Sequence, residues 1–179
     1  MKILDLGCGI NKLKTKNPND IIIGVDKVKV KGVDIVHDLD KFPYPFRDNE
    51  FDLVYASHFL EHVEDLEKTL KEIQRILKPN GTFKGRVPHF SCGVTYRDPT
   101  HKRFFSYFSF DYFSDKCWYA PVKFRIKKVS FNFTRTSVTF LNGFFNPLLN
   151  KFPTVYERFF CWIFPTSEVL FELENIKNE

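Results

Sequence analysis

The sequence predicts an α/β protein, a parallel sheet covered by helices. Three observations carry this. A short apolar run, Ile3, Leu4 and Leu6, breaks directly into Gly7-Cys8-Gly9, as a buried strand does on meeting a tight glycine turn. A second run, Ile21 to Val25, ends on Asp26. From there to Pro88, strand-like segments alternate with turn signals and an amphipathic helix.

The first strand closes on a turn that needs glycine for its backbone and for close approach of a ligand. Asp5, at the strand's end, can accept hydrogen bonds from a ligand amine or from the turn's own amides. The turn is not a full G-x-G-x-x-G, because Lys12 and Leu13 occupy the later positions. The connection from Ile10 to Asp20 has room for one or two helical turns. Asp26, closing the second strand, is where a nucleotide ribose is gripped through its hydroxyls. Gly32 to His37 reads as a third strand ending at Asp38-Leu39, and Phe42 to Phe46, with two prolines, as a loop. Phe51 to Ala56 is a fourth strand. Glu64 and Asp65 open a helix with apolar positions at Leu66, Leu70, Ile73 and Leu77, ended by Lys78-Pro79-Asn80-Gly81. Thr82 to Pro88 is the fifth strand.

Beyond Phe90 the texture changes. Residues 91–120 are aromatic and charged, with a short helix expected near Ser109 to Lys116. Val122 to Asn132 reads as a strand, continuing in broken form through Phe140. Asn142 to Phe164 is expected to be helical in part, cut by Pro147, Pro153 and Pro165, and Ser167 to Ile176 alternates as a last strand. With no repeat or linker, residues 1–179 form one domain, with 1–89 as its ligand-binding half and 90–179 supplying a lid and the final strands.

The 179 residues are 43% apolar and include 22 phenylalanines, concentrated in the second half. No window approaches the ~20 apolar residues that span a bilayer. The four scattered cysteines, Cys8, Cys92, Cys117 and Cys161, point to a reduced, cytoplasmic protein. The net charge of +5 mildly favours an anionic partner, though such basicity also serves solubility.

LDLGCG, GVD, VDIVHDLDKFPYPFRDNEFDLVYASHFLEHV and EIQRILKPNGTFKGRVPH follow one another as in class I S-adenosylmethionine-dependent methyltransferases, and within them the chain is similar to the type 11 group. The resemblance implies a Rossmann-like seven-stranded sheet of order 3-2-1-4-5-7-6, with the last strand antiparallel and helices on both faces. It makes Val122 to Asn132 strand six and Ser167 to Ile176 strand seven. It implies S-adenosylmethionine as cofactor and S-adenosylhomocysteine as product. Carried over by position, Asp5 and the turn Gly7, Cys8, Gly9 line the methionine part. Asp26 holds the ribose with Lys27 beside the adenine, and Asp38 and the Leu39 amide meet the adenine edge. Ser57 and His58 face the methionine portion or the substrate. Asn11 stands where a third glycine is usual. The sequence starts at strand one, so the pocket is expected to be open or covered by 91–120, by 142–164 or by another subunit, as in a homo-oligomer.

Methyl transfer is an in-line displacement, so the protein chiefly aligns the nucleophile, with a general base where the nucleophile arrives protonated. His58, His89 and His101 are the candidate catalytic groups, and Arg97, Lys102 and Arg103 the candidates for an anionic substrate group. His58-Phe59-Leu60-Glu61-His62 also fits H-x-x-E-H, the inverted zinc-peptidase pattern. Zinc catalysis would need all three residues on one helix and a third ligand. This stretch instead follows a buried strand, so Glu61 and His62 are expected to cap and pack the helix start, with no metal. Ala56-Ser57-His58-Phe59 replaces the Asn/Asp-Pro-Pro-Tyr of adenine and cytosine N-methylation. The expected acceptor is an oxygen or nitrogen of a small molecule or protein side chain. RNA is the second expectation, from the charge and the interleaved aromatics at 97–128. A non-catalytic cofactor-binding regulator is the third.

Overall fold

Leu4, Val54, Phe83 and Leu173 stand side by side across four neighbouring strands, each completely buried. This row sets the architecture. The computed structural model describes residues 1–177. Its strands are β1 (Lys2–Leu6), β2 (Ile21–Asp26), β3 (Ile35–Val36), β4 (Phe51–Ser57), β5 (Leu77–Pro88), β6 (Phe124–Asn132) and β7 (Glu168–Asn175). They form one sheet in the order β3-β2-β1-β4-β5-β7-β6, as expected. The pairs from β3 through β5 are parallel, and β7 runs antiparallel between β5 and β6.

Helix α1 (Leu66–Ile76) closes the same core with Leu70, Ile73 and Ile76, all fully buried. Each such side chain contributes about 1.5–3 kcal/mol. Asp65 caps the helix by accepting the Lys68 amide. Four expectations are corrected in detail. No helix forms over residues 10–20, where Asp5 takes the Leu13 amide and Pro18 interrupts. The third strand shrinks to two residues because the Asp34 carboxylate, rather than a backbone carbonyl, accepts the Gly24 amide. Residues 78–81 bulge from β5, since Phe51 pairs with Leu77 but Leu53 with Thr82. The helix near Ser109 is a 3₁₀ turn over Ser109–Phe113 that buries Phe110 and Phe113.

Strand β6 stops at Asn132 and does not continue toward Phe140. It lies at the sheet edge, and α3 (Asn142–Lys151) closes that edge with amides. Asn142, Asn146 and Asn150 recur every four residues on one helical face. Asn150 accepts from the Phe131 N–H at 2.7 Å and donates to its carbonyl at 3.1 Å. Asn146 accepts from Phe133, and Asn142 pairs with both backbone groups of Thr134. Pro147 is tolerated inside α3 because the carbonyl it leaves free belongs to the exposed Gly143. Asn150→Ala should cost about 1–3 kcal/mol, the penalty for stranding buried backbone groups, and a urea midpoint unchanged from wild type would refute this role.

After α3 a short helical turn, α4 (Pro153–Val155), leads into a π turn over Tyr156–Phe160. The segment exposes a band of aromatics: Phe140 is 76%, Phe144 68%, Phe159 63% and Trp162 67% exposed. The sheet face opposite the core row carries half-exposed Tyr55, Lys84, Arg86 and Glu172, laced by the pairs Lys84–Glu172 and Lys127–Glu174. Among the described residues no helix is long and apolar enough to cross a membrane.

Candidate functional site

The carboxyl ends of the parallel strands open onto a cleft of about 640 Å³, where open α/β sheets bind ligands. One wall is Gly7, Asp26, Lys27, Asp38, Leu39 and Asp40, from the ends of β1, β2 and β3. The other is His58, Phe59, His62 and Val63, which follow β4, with Pro99, Thr100 and Lys102. The last three follow α2 (Gly93–Arg97), so part of the 91–120 segment reaches the cleft.

Gly7 has φ +62°, and a Cβ there would lie 3.0 Å from the Phe59 ring, so the turn admits no larger residue beside the cleft. Asp26 accepts the Gly9 amide through Oδ2 and the Val28 amide through Oδ1, both at 3.0 Å. This fixes the carboxylate while each oxygen keeps a lone pair. Asp38 is held open by a turn in which Asp40 and Lys41 amides point back at it.

Asp5, Cys8, Gly9 and Ser57 do not line the cleft; the first three build the turn beneath it. Asp5 accepts the Leu13 amide at 2.6 Å and is almost fully enclosed. Burial raises its pKa to about 6, against the opposing pull of the Leu13 amide and Lys12. Because the folded value exceeds the unfolded 3.8, the contribution is favourable below pH 3.8 and is lost as pH rises through 6. Asp5→Asn should therefore gain about 1–3 kcal/mol over wild type at pH 7 and nothing at pH 3.5. Equal stability curves across that range would rule this out. Cys8 packs its sulfur against Gly24, where an added Cβ would sit 2.7 Å away, and burial pushes its thiol up to about 11.

His58 adopts φ +53°, turning its ring back onto β7. Its Nδ1 lies 3.2 Å from Glu61 and its Nε2 2.7 Å from Glu168. Burial works against its charge, but hydrogen bonds to Glu168 and Glu61 raise its pKa to about 9. Arg135 also approaches Nε2 at 2.7 Å while donating to Glu168 at 2.8 Å; the two carboxylates outweigh that guanidinium. His58 is therefore a cation at neutral pH, which suits it to hold an anion and not to accept a proton.

His89 is fully enclosed, bonded to Ser91 and Glu157 and packed against Phe131 and Tyr156, and lies away from the cleft. His101 sits behind His62, with ring centroids 4.7 Å apart. Arg97 is exposed at the end of α2. Arg103 donates to the Glu64 carbonyl at 2.5 Å, and neither arginine borders the cleft. Lys102, their neighbour, does. The H-x-x-E-H residues lie in turns ahead of α1 and share no helix. Asp40, Phe59, His62 and Thr100 were not assigned to the site from sequence. Asp40, Phe59 and Thr100 each stand within two residues of a candidate, which was the available signal.

A family model described as "Methyltransferase domain" matches residues 4–84. The chain is 36% identical over 98 residues to a sterol 4-C-methyltransferase of Caenorhabditis elegans, covering 45% of this chain and 29% of that protein. It is 38% identical over 97 residues to a demethylmenaquinone methyltransferase of Staphylococcus saprophyticus, covering 45% and 41%. The chain thus spans less than half the length of these curated relatives. A solved S-adenosylmethionine-dependent methyltransferase from Archaeoglobus fulgidus superposes with a TM-score of 0.68 at 19% identity, over 97% of this chain and 85% of that one. The strand order and the cleft at the strand ends are those of the class I S-adenosylmethionine-dependent methyltransferase fold, and the methyltransferase family model covers residues 4–84 of the chain. S-adenosylmethionine is the cofactor that goes with it.

Proposed function

We propose that this protein transfers a methyl group from S-adenosylmethionine to an oxygen or nitrogen of a small molecule. The observation that carries this is the single cleft with Gly7, Asp26 and Asp38 on one wall and His58, His62, Thr100 and Lys102 on the other. The first wall suits a nucleoside: an amide-fixed carboxylate for ribose hydroxyls, a second acid for an exocyclic amine, and a glycine that leaves room for the ligand. When bound, the cofactor supplies an electrophilic methyl on a sulfonium. His58 offers a positive ring to a carboxylate, and Lys102 offers an ammonium donor to the acceptor. His101 packs against His62 from outside the cleft.

Relatives named for sterols and demethylmenaquinone favour an acceptor with an apolar body. The test is incubation with methyl-labelled S-adenosylmethionine and cell extract separated into lipid, polar small-molecule, protein and RNA fractions. Label in the lipid or small-molecule fraction is expected. Label removed by nuclease would mean RNA, label removed by protease a protein acceptor, and micromolar cofactor binding (about −8 kcal/mol) with no label anywhere a regulatory protein.

A further inference from the structure

Glu61, His62 and His101 each offer a ligand atom, and these atoms lie within 4.8 Å of one another. The two imidazoles are already set in the tautomer a metal needs. Thr100 Oγ1 donates to Asp98 at 2.7 Å, so it must accept from His62 Nδ1 at 2.9 Å, leaving the His62 Nε2 lone pair free. His101 Nδ1 donates to the Thr95 carbonyl at 2.9 Å, leaving its own Nε2 free. The Asp98 carboxylate lies 4.0 Å from that nitrogen, too far to hydrogen-bond. Metal-bound histidines are oriented in just this way, the second ring nitrogen donating to a carbonyl or to a relayed carboxylate.

The third member supplies an independent observation. Glu61 is completely buried, and its Oε2 has no hydrogen-bond partner. A buried carboxylate oxygen without a donor is costly unless a cation meets it. From this we infer that Glu61, His62 and His101 form a site for a divalent transition metal, zinc by the chemistry of two imidazoles and a carboxylate. Tetrahedral ligands at about 2.0–2.1 Å from zinc lie about 3.4 Å apart, so binding draws the three atoms together by about an ångström. Two of the ligands belong to the H-x-x-E-H stretch, but the third comes from the segment after β5 and His58 is excluded by its bonds to Glu168. That is not the peptidase arrangement. His62 also lines the cleft, so the fourth ligand comes from there: water, or an acceptor oxygen. This last clause rests on the methyltransferase reading.

The test needs no methyl donor. Protein stripped with chelator and freed of any affinity tag is titrated with Zn²⁺ by calorimetry and with Co²⁺ by visible absorption. One ion per chain at micromolar affinity or better is expected, with the intense visible bands of four-coordinate cobalt. His62→Ala and His101→Ala should each weaken binding by 100-fold or more. Thr100→Val, which keeps the ligands but loses the acceptor that orients His62, should weaken it about 10–100-fold. Circular dichroism and S-adenosylmethionine binding of each variant separate loss of the site from loss of the fold or of the cofactor cleft. Failure to bind either ion, six-coordinate cobalt only, or binding unchanged in both folded histidine variants would overturn the assignment.

Discussion

Glu168→Ala is expected to destabilise the protein by about 3 kcal/mol, the lower end of the range for removing one partner of a buried ion pair. Glu168 is 1% exposed, yet it accepts from His58, Asn132 and Arg135, with Arg86 3.8 Å away. Burial raises its pKa, but the hydrogen bonds from His58 and Asn132, with the Arg135 charge, hold it below 4.5 overall. Without it, His58 and Arg135 face each other 2.7 Å apart with only Glu61, on the other ring nitrogen of His58, to offset them. The lower end applies because both cations are partly exposed and water screens what remains. Chemical denaturation provides the measurement, and a loss below about 1 kcal/mol would reduce the cluster to an ordinary surface pair. Glu168→Gln, which keeps the shape and removes the charge, should fall between Ala and wild type.

Asp26→Ala should weaken S-adenosylmethionine and S-adenosylhomocysteine by about 1–3 kcal/mol, or roughly 5–150-fold. Ribose hydroxyls lose a charged acceptor, and the Gly9 and Val28 amides lose the group that orients the glycine turn. Calorimetry reads both ligands directly. Unchanged affinity would remove Asp26 from the site, and tighter binding of NAD than of S-adenosylmethionine would overturn the cofactor itself.

The strands of the first half were legible because each is a dense apolar run, and β1, β2 and β4 each lead into a residue that lines the cleft: Gly7, Asp26, His58. Asp38 and Leu39 were legible for the same reason, although the strand before them is only two residues long. Asp5 illustrates the limit. A carboxylate at a strand end suits a ligand amine and a turn amide equally, and only the path of Leu13 decides between them. His58 looked like a base; its left-handed backbone and the arrival of Glu168, 110 residues away, make it a cation. The pairing of His62 with His101 was hidden likewise, because no local spacing brings residues from separate loops together. In the second half, Pro147 read as a helix breaker and stands inside α3, since the cost of a proline depends on whether the orphaned carbonyl can reach water.

The position of β7 dictates when the sheet can be finished. The strand is the last of the seven to be made, yet it sits between β5 and β6 and joins them in the sheet. Eighty residues separate Pro88 from Glu168, so at about 5–20 residues per second β5 waits about 4–16 s on the ribosome with one side unpaired. During that interval β1, β2 and β4 can already have assembled with β5 into a cofactor-competent half, while the Phe-rich remainder has nothing to dock on. Of all the strands, β7 is therefore the one whose late arrival commits the chain, and the wait before it is the period in which a nascent chain most needs protection from other exposed strands.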